Sequence, residues 1–292
     1  MPGNKDRIAG LLLGTAAATV ACAVAAVFGF LFLFALPVFT GGQGLAVLGG
    51  TWQPETGQFG ILPMLAASVC LALSALALGW PLALGLCCSI RGFVPAPLAR
   101  LLLALLRGMT AFPTVVYGFA ALFLLVPFMR EAAGRGSGLC WATAALVLAL
   151  VALPTMVLVM DAGIQQMERR LHLTGAALGF NRRQILVHLV LPACRGNLSA
   201  AAALGFGRAI GDTLIPLMLA GNAPQWPHSV FDSIRSLTAH IGLVLATDTH
   251  SAAYGSLFVA GCLLLLVNVA VQLALRALPT KNGSSATYGY GA

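Results

Sequence analysis

Apolar residues run along this chain in blocks too long for the helices or strands of a water-soluble core. Six blocks stand out, at residues 8–36, 61–89, 101–129, 140–163, 198–220 and 254–278. Each holds about the 20 residues that a helix needs to cross a bilayer. Lipid offers no partner to a free backbone amide, so each block must be helical. The pattern predicts an all-α, polytopic membrane protein with six transmembrane helices. The first block follows Lys5 and Arg7 as a signal peptide would, but its apolar stretch exceeds the 7–15 residues typical of one, so it reads as a retained span.

Between the blocks the chain is uneven. Residues 40–60, TGGQGLAVLGGTWQPETGQFG, are rich in glycine and turn formers and predict an ordered surface loop or short re-entrant element. Pro95 and Pro97 make 91–100 a tight connection, and the small polar residues of 279–292 predict a disordered tail. The organisation is then a first span with its outer loop (1–60), a transport domain (61–278) carrying a polar inner loop (164–197), and the tail.

That inner loop, IQQMERRLHLTGAALGFNRRQILVHLVLPACRGN, is too polar to span yet keeps a helical period. Gly179 reads as the stop of one helix. Asn181 with Gln184 reads as the capping box of a second, and Ile185, Leu186, Leu189 and Val190 follow before Pro192. Helix, sharp turn, helix is the prediction. Such a shape suits a groove on a soluble partner, or it lies on the membrane with its arginines among lipid phosphates.

Composition adds direction. Hydrophobic residues make up 59% of the chain and charged ones 8%, and mean hydropathy is +0.93. With the N-terminus inside, Lys5, Arg7, Arg91, Arg100, Arg169, Arg170, Arg182, Arg183, Arg195, Arg276 and Lys281 lie on the cytoplasmic side, eleven of the sixteen basic residues. Arg130, Arg135 and Arg235 lie outside. The net charge of +8 is thus a topology signal spread over loops of one side, and no nucleic-acid footprint. The seven cysteines lack metal spacing and read as packing residues, His172 and His188 read as surface residues, and Trp52, Trp141 and Trp226 as interfacial anchors.

Two charges fall inside the fifth block, in GFGRAIGDTL (205–214). Ionisable groups at membrane depth are costly unless paired or hydrated, so Arg208 and Asp212 must face the bundle interior or a watery path. Four residues apart on a helix, they share a face. Either they form an internal ion pair, with Gly207 and Gly211 allowing close packing, or Arg208 meets a permeating oxyanion that Asp212 helps to release. A guanidinium suits that task because it offers paired donors and stays charged where water is scarce. Thr213 offers a hydroxyl to an anion or to its own backbone. In FPTVVYG, Pro113 frees backbone groups near Thr114 and Tyr117, which are either pathway-lining or part of a kinked packing helix.

The spacing from Gly179 through nine residues to Leu189-Val190-Leu191-Pro192 resembles the coupling loop of ABC-transporter permeases, with Leu173, Thr174 and Gly175 in place of that family's Glu-Ala-Ala. TWQPETGQFGILP (51–63), FPTVVYGFAALFLLVPFMR (112–130), LPTM (153–156) and GRAIGDTLIPLMLAGN (207–222) are similar, in order, to segments of the phosphate-specific permeases, above all their C-type subunit. Two positions depart. Asp212 stands where the family has Glu, and Arg107 where a small residue is expected.

The resemblance implies the six-helix type I ABC permease (MetI-like) fold and a subunit of an ATP-driven phosphate importer in a bacterial cytoplasmic membrane, both termini cytoplasmic. It implies a substrate pathway at Arg208, Asp212, Thr213, Thr114 and Tyr117, and an ATPase dock at Ala176, Ala177, Gly179, Phe180, Arg182 and Pro192. Its implied partners are an A-type permease, two ATP-binding subunits that hold the ATP, and a phosphate-binding protein outside. No cofactor or metal is expected on this chain. Molybdate, sulfate or phosphonate transport is the alternative within the class, and a passive channel or scaffold the alternative outside it. An enzyme is disfavoured, since P-loop, H-E-x-x-H and G-x-S-x-G motifs are absent and Asp232 and Asp248 form no site.

Overall fold

The computed structural model describes residues 4–40, 47–134, 136–246 and 252–277. Arg135, Asp248, loop residues 41–46 and the predicted tail with Lys281 lie outside the described residues. Helix α1 (Asn4–Thr40) is followed by a hairpin, β1 (Trp52–Gln53) and β2 (Gln58–Phe59), then by α2 (Leu62–Gly92), α3 (Ala96–Ala111), α4 (Thr114–Ala133) and α5 (Trp141–Ala177). Next come α6 (Arg182–Ala193), whose middle widens into π turns at Ile185–Val190, α7 (Arg195–Gly211), α8 (Leu214–Leu219), α9 (Leu237–Leu245) and α10 (Ala252–Ala277). Among the described residues, α1, α2, α4, α5 and α10 are each long and apolar enough to cross a membrane. The pair α6 and α7, bent by 69°, supplies a sixth candidate span.

The predicted third span, 101–129, is two helices. Pro113 has no amide proton and pushes Phe112 into extended backbone (φ −79°, ψ 134°). The carbonyl that the missing amide would have served, that of Met109, accepts instead from the Tyr117 hydroxyl at 2.8 Å. The glycine-rich outer segment is in part the hairpin, with Trp52 paired to Phe59.

Helices in lipid gain little from the hydrophobic effect and associate through close packing of small residues. Here the residue that fills the close approach is Met156 of α5. A β-carbon at Gly79 of α2 would come within 2.8 Å of its Cε, and one at Gly205 of α7 within 2.5 Å of its Sδ. Met156, Phe206 and Leu148 are fully buried around this three-helix junction. Gly118 of α4 receives Met218 of α8 in the same way. By contrast α1 lies outside the bundle against α10, where Phe34 stacks on Phe258 with ring centroids 5.1 Å apart.

At the opposite end from the hairpin, α5 runs on without a break into the predicted loop, so the first coupling helix is the end of a span. Gly179 closes it at φ +74°, with the Phe180 amide donating to the Gly175 carbonyl and the Gly179 amide to that of Ala176. Asn181 and Gln184 then form the predicted capping box, both bonds at 2.9 Å.

Candidate functional site

The fifth predicted span, 198–220, breaks in the middle of GFGRAIGDTL, and Pro216 accounts for the break. Lacking an amide, Pro216 leaves the carbonyl of Asp212 without its helical donor. Helix α7 stops at Gly211, Asp212 turns to extended backbone (φ −73°, ψ 128°), and its carbonyl accepts from the Thr238 hydroxyl of α9 at 2.9 Å. The Asp212 side chain restarts the chain as a helix: its Oδ1 accepts from the Ile215 amide at 3.0 Å.

A cavity of about 460 Å³ opens at this break, lined by Thr114, Gly207, Arg208, Gly211, Asp212, Thr213 and Leu214. Four of the five predicted pathway residues therefore meet on one wall. Tyr117 does not. Its hydroxyl is spent on Met109, and its ring packs half-buried against the core. It belongs to the kinked packing helix.

Of the two readings of Arg208 and Asp212, the direct ion pair is not formed. Although α7 ends at Gly211, both side chains line the same cavity, as their four-residue spacing predicts, but among the described residues no carboxylate lies within ion-pairing distance of Arg208. Arg208 is exposed, Asp212 and Thr213 half-buried. The guanidinium thus faces open space, with one carboxylate and two hydroxyl residues lining the same cavity.

Of the second group of predicted residues, Ala176, Ala177, Gly179, Phe180 and Arg182 lie at the elbow between α5 and α6 and Pro192 at the far end of α6, all exposed. Leu173 and Leu178 stand beside them, 80% and 60% exposed, giving the elbow an apolar rim. The elbow is held from within. Gly175 sits against Ile185, where a β-carbon would approach Cγ1 to 2.5 Å. Arg182 reaches Glu168 at 3.4 Å. Arg183 donates to the Gly92 carbonyl at 3.3 Å and lies over the Phe93 ring, 4.7 Å from its centroid, so α6 is tied to the end of α2.

Several working residues escaped the sequence reading. Arg91 of α2 grips Asp161 of α5 through two bonds, Nε to Oδ1 at 2.5 Å and Nη2 to Oδ2 at 2.7 Å. Asp161, a lone carboxylate among apolar neighbours, was the available signal, by the same rule that singled out Arg208 and Asp212. Asn268 and Gln272 of α10 bond to each other at 2.9 Å beside Gly207, and their four-residue spacing within an apolar block could have found them. Trp141, expected as an interfacial anchor, donates to Ser74 of α2 at 3.0 Å. Trp52 stands edge-on to buried His240 with centroids 4.4 Å apart, while Trp226 is exposed. His172 and His188 are at the surface.

Comparison with known proteins now bears on the assignment. A family described as the binding-protein-dependent transport system inner membrane component matches residues 82–282, more than half of the chain. The chain belongs to this family. As a permease it is 28% identical over 233 residues to a probable ABC transporter permease protein, YqgH, of Bacillus subtilis, covering 79% of this chain and 75% of that one. It is 27% identical over 242 residues to the phosphate transport system permease protein PstC of Mycobacterium leprae, 75% of each chain, and 25% identical over 250 residues to PstC of Haemophilus influenzae, 79% of each. The permease fold resembles a chain of the inward-facing MetNI methionine ABC transporter, with a TM-score of 0.53 at 19% identity over 75% of this chain and 94% of that one. It also resembles a chain of a bacterial ABC transporter that imports alginate, with a TM-score of 0.55 at 12% identity over 90% and 96%. The protein is accordingly a multi-pass inner-membrane ABC permease subunit of the PstC-like kind.

Proposed function

We propose that this permease carries inorganic phosphate inward and that the cavity at the α7–α8 break is a station on its route. The observation that carries the reading is Arg208, an exposed guanidinium with no ion-pair partner among the described residues, set in the wall of a cavity between apolar helices. A phosphate offers it two oxygens in the plane of the fork. Asp212, held in place by the Ile215 amide, is the second charged group lining the same cavity. The phosphate transport names of relatives such as the Mycobacterium leprae protein support the choice of anion over molybdate, sulfate or phosphonate.

In this reading the chain is the C-type half of a heterodimer with an A-type permease. ATP is bound and hydrolysed on two separate ATP-binding subunits, and the permease holds no cofactor. Those subunits seat on the α5–α6 elbow, whose exposed Leu173, Leu178 and Phe180 offer an apolar knob and whose tie to α2 through Arg183 passes movement into the bundle. A phosphate-binding protein delivers the anion at the hairpin end, and both termini are cytoplasmic, as the excess of basic residues on the elbow side supports. The test is uptake of labelled phosphate by the complete complex in proteoliposomes, with sulfate and molybdate as competitors. ATP-dependent accumulation that sulfate and molybdate leave intact is the expected result. Accumulation of either competitor in preference to phosphate would overturn the choice of anion, and leakage without ATP would favour a channel.

A further inference from the structure

The charges around the α7–α8 cavity bear on which anions it can admit. Its lining, Thr114, Gly207, Arg208, Gly211, Asp212, Thr213 and Leu214, contains one cation, one carboxylate and two hydroxyl residues. For an anion site the carboxylate is the anomaly. It makes no direct ion pair with Arg208, so both charges remain open to a ligand in the cavity. Nor can it swing away, because Oδ1 holds the Ile215 amide at 3.0 Å and the Asp212 carbonyl is bound by Thr238 at 2.9 Å. A cap alone does not explain it either, since an uncharged oxygen caps a helix as well as a carboxylate does.

A tetrahedral oxyanion docked on Arg208 therefore meets a fixed negative oxygen. If every oxygen of the anion is deprotonated, as in sulfate or molybdate at neutral pH, lone pairs face lone pairs and the contact is repulsive. If the anion keeps a proton, as phosphate, arsenate and monoalkyl phosphonates do, its P–OH or As–OH donates to the carboxylate. The repulsion becomes a charge-assisted hydrogen bond.

We propose that Asp212 is the selectivity residue of this permease, admitting oxyanions that carry a proton and turning away those that do not. The proposal rests on the reading of the cavity as an anion station, and it assigns the permease a discrimination separate from that of any soluble binding protein.

The test places a thiol in the cavity wall by Thr114→Cys in the full complex of permease and ATPase subunits, without binding protein. Maleimide labelling of that thiol is then followed by peptide mass spectrometry in the presence of phosphate, methylphosphonate or sulfate. Phosphate and methylphosphonate should slow labelling at concentrations at least about tenfold below sulfate, the least expected of one charge-assisted bond gained or lost. Asp212→Asn, which keeps the cap oxygen, should bring sulfate to parity, and Arg208→Gln should abolish protection by all three.

Equal protection by phosphate and sulfate with Asp212 intact would overturn the selectivity proposal and leave the anion station standing. So would a preference that survives Asp212→Asn. Protection by none of the three anions would overturn both. Should Asp212→Asn fail to assemble, the comparison of methylphosphonate with sulfate at intact Asp212 still decides, because only the first carries a proton.

Discussion

Breaking the Arg91–Asp161 pair should unfasten α2 from α5 and destabilise the permease by about 3–5 kcal/mol, the cost of leaving one buried charge alone. The magnitude belongs to the buried class because both side chains are largely covered, 15% and 12% exposed, and joined by two bonds. At roughly 2–4 °C per kcal/mol for a chain of this size, Arg91→Met or Asp161→Leu alone should lower the unfolding midpoint in detergent by about 6 °C or more. Arg91→Met with Asp161→Leu removes both charges and fills the space with apolar atoms, so it should recover most of the loss. The assay is thermal unfolding of the purified complex followed by intrinsic fluorescence. If each single change cost under about 1 kcal/mol, the range of a solvent-exposed pair, or if the double change cost the sum of the two, the assignment of this pair as a buried fastening would be refuted.

Three further outcomes follow from particular contacts. Gly179→Val meets no neighbour within 4 Å but must hold φ near +74°. The elbow should therefore lose its shape at a cost of about 1–3 kcal/mol, and co-purification with the ATPase should fall while membrane insertion does not. Gly205→Leu drives a side chain into Met156 and should abolish stable assembly, which Gly205→Leu with Met156→Ala should partly restore; no restoration would argue against the three-helix junction. Tyr117→Phe strips the Met109 carbonyl of its donor and should cost about 1–3 kcal/mol while phosphate uptake per assembled complex stays unchanged, a result that uptake loss would contradict.

Much of this architecture can be read from the chain, because lipid allows only helices and so ties apolar length to structure. The elbow was legible for a local reason: Gly179, Asn181 and Gln184 carry their turn and cap chemistry within six residues. The breaks at Pro113 and Pro216 were less legible. A proline marks where a carbonyl loses its donor, but not that Tyr117 or Thr238 will take it, since those partners are chosen by the fold. Thr238 comes from a different helix, 26 residues further along the chain. The same limit explains the omission of Arg91 with Asp161, which lie 70 residues apart.

The central claim is that Arg208 serves the anion and not the packing of α7. Its most direct test is phosphate uptake and folded yield measured side by side for Arg208→Lys, Arg208→Gln and the double change Arg208→Gln with Asp212→Asn in the complete complex. Lysine keeps the charge but loses the planar fork, and glutamine loses both. Uptake should fall in that order, with the yield of assembled complex unchanged and the double change still inactive. Normal uptake by the double change, or yields that collapse with either single change and return with the double, would contradict the account and make the two charges a clamp between helices.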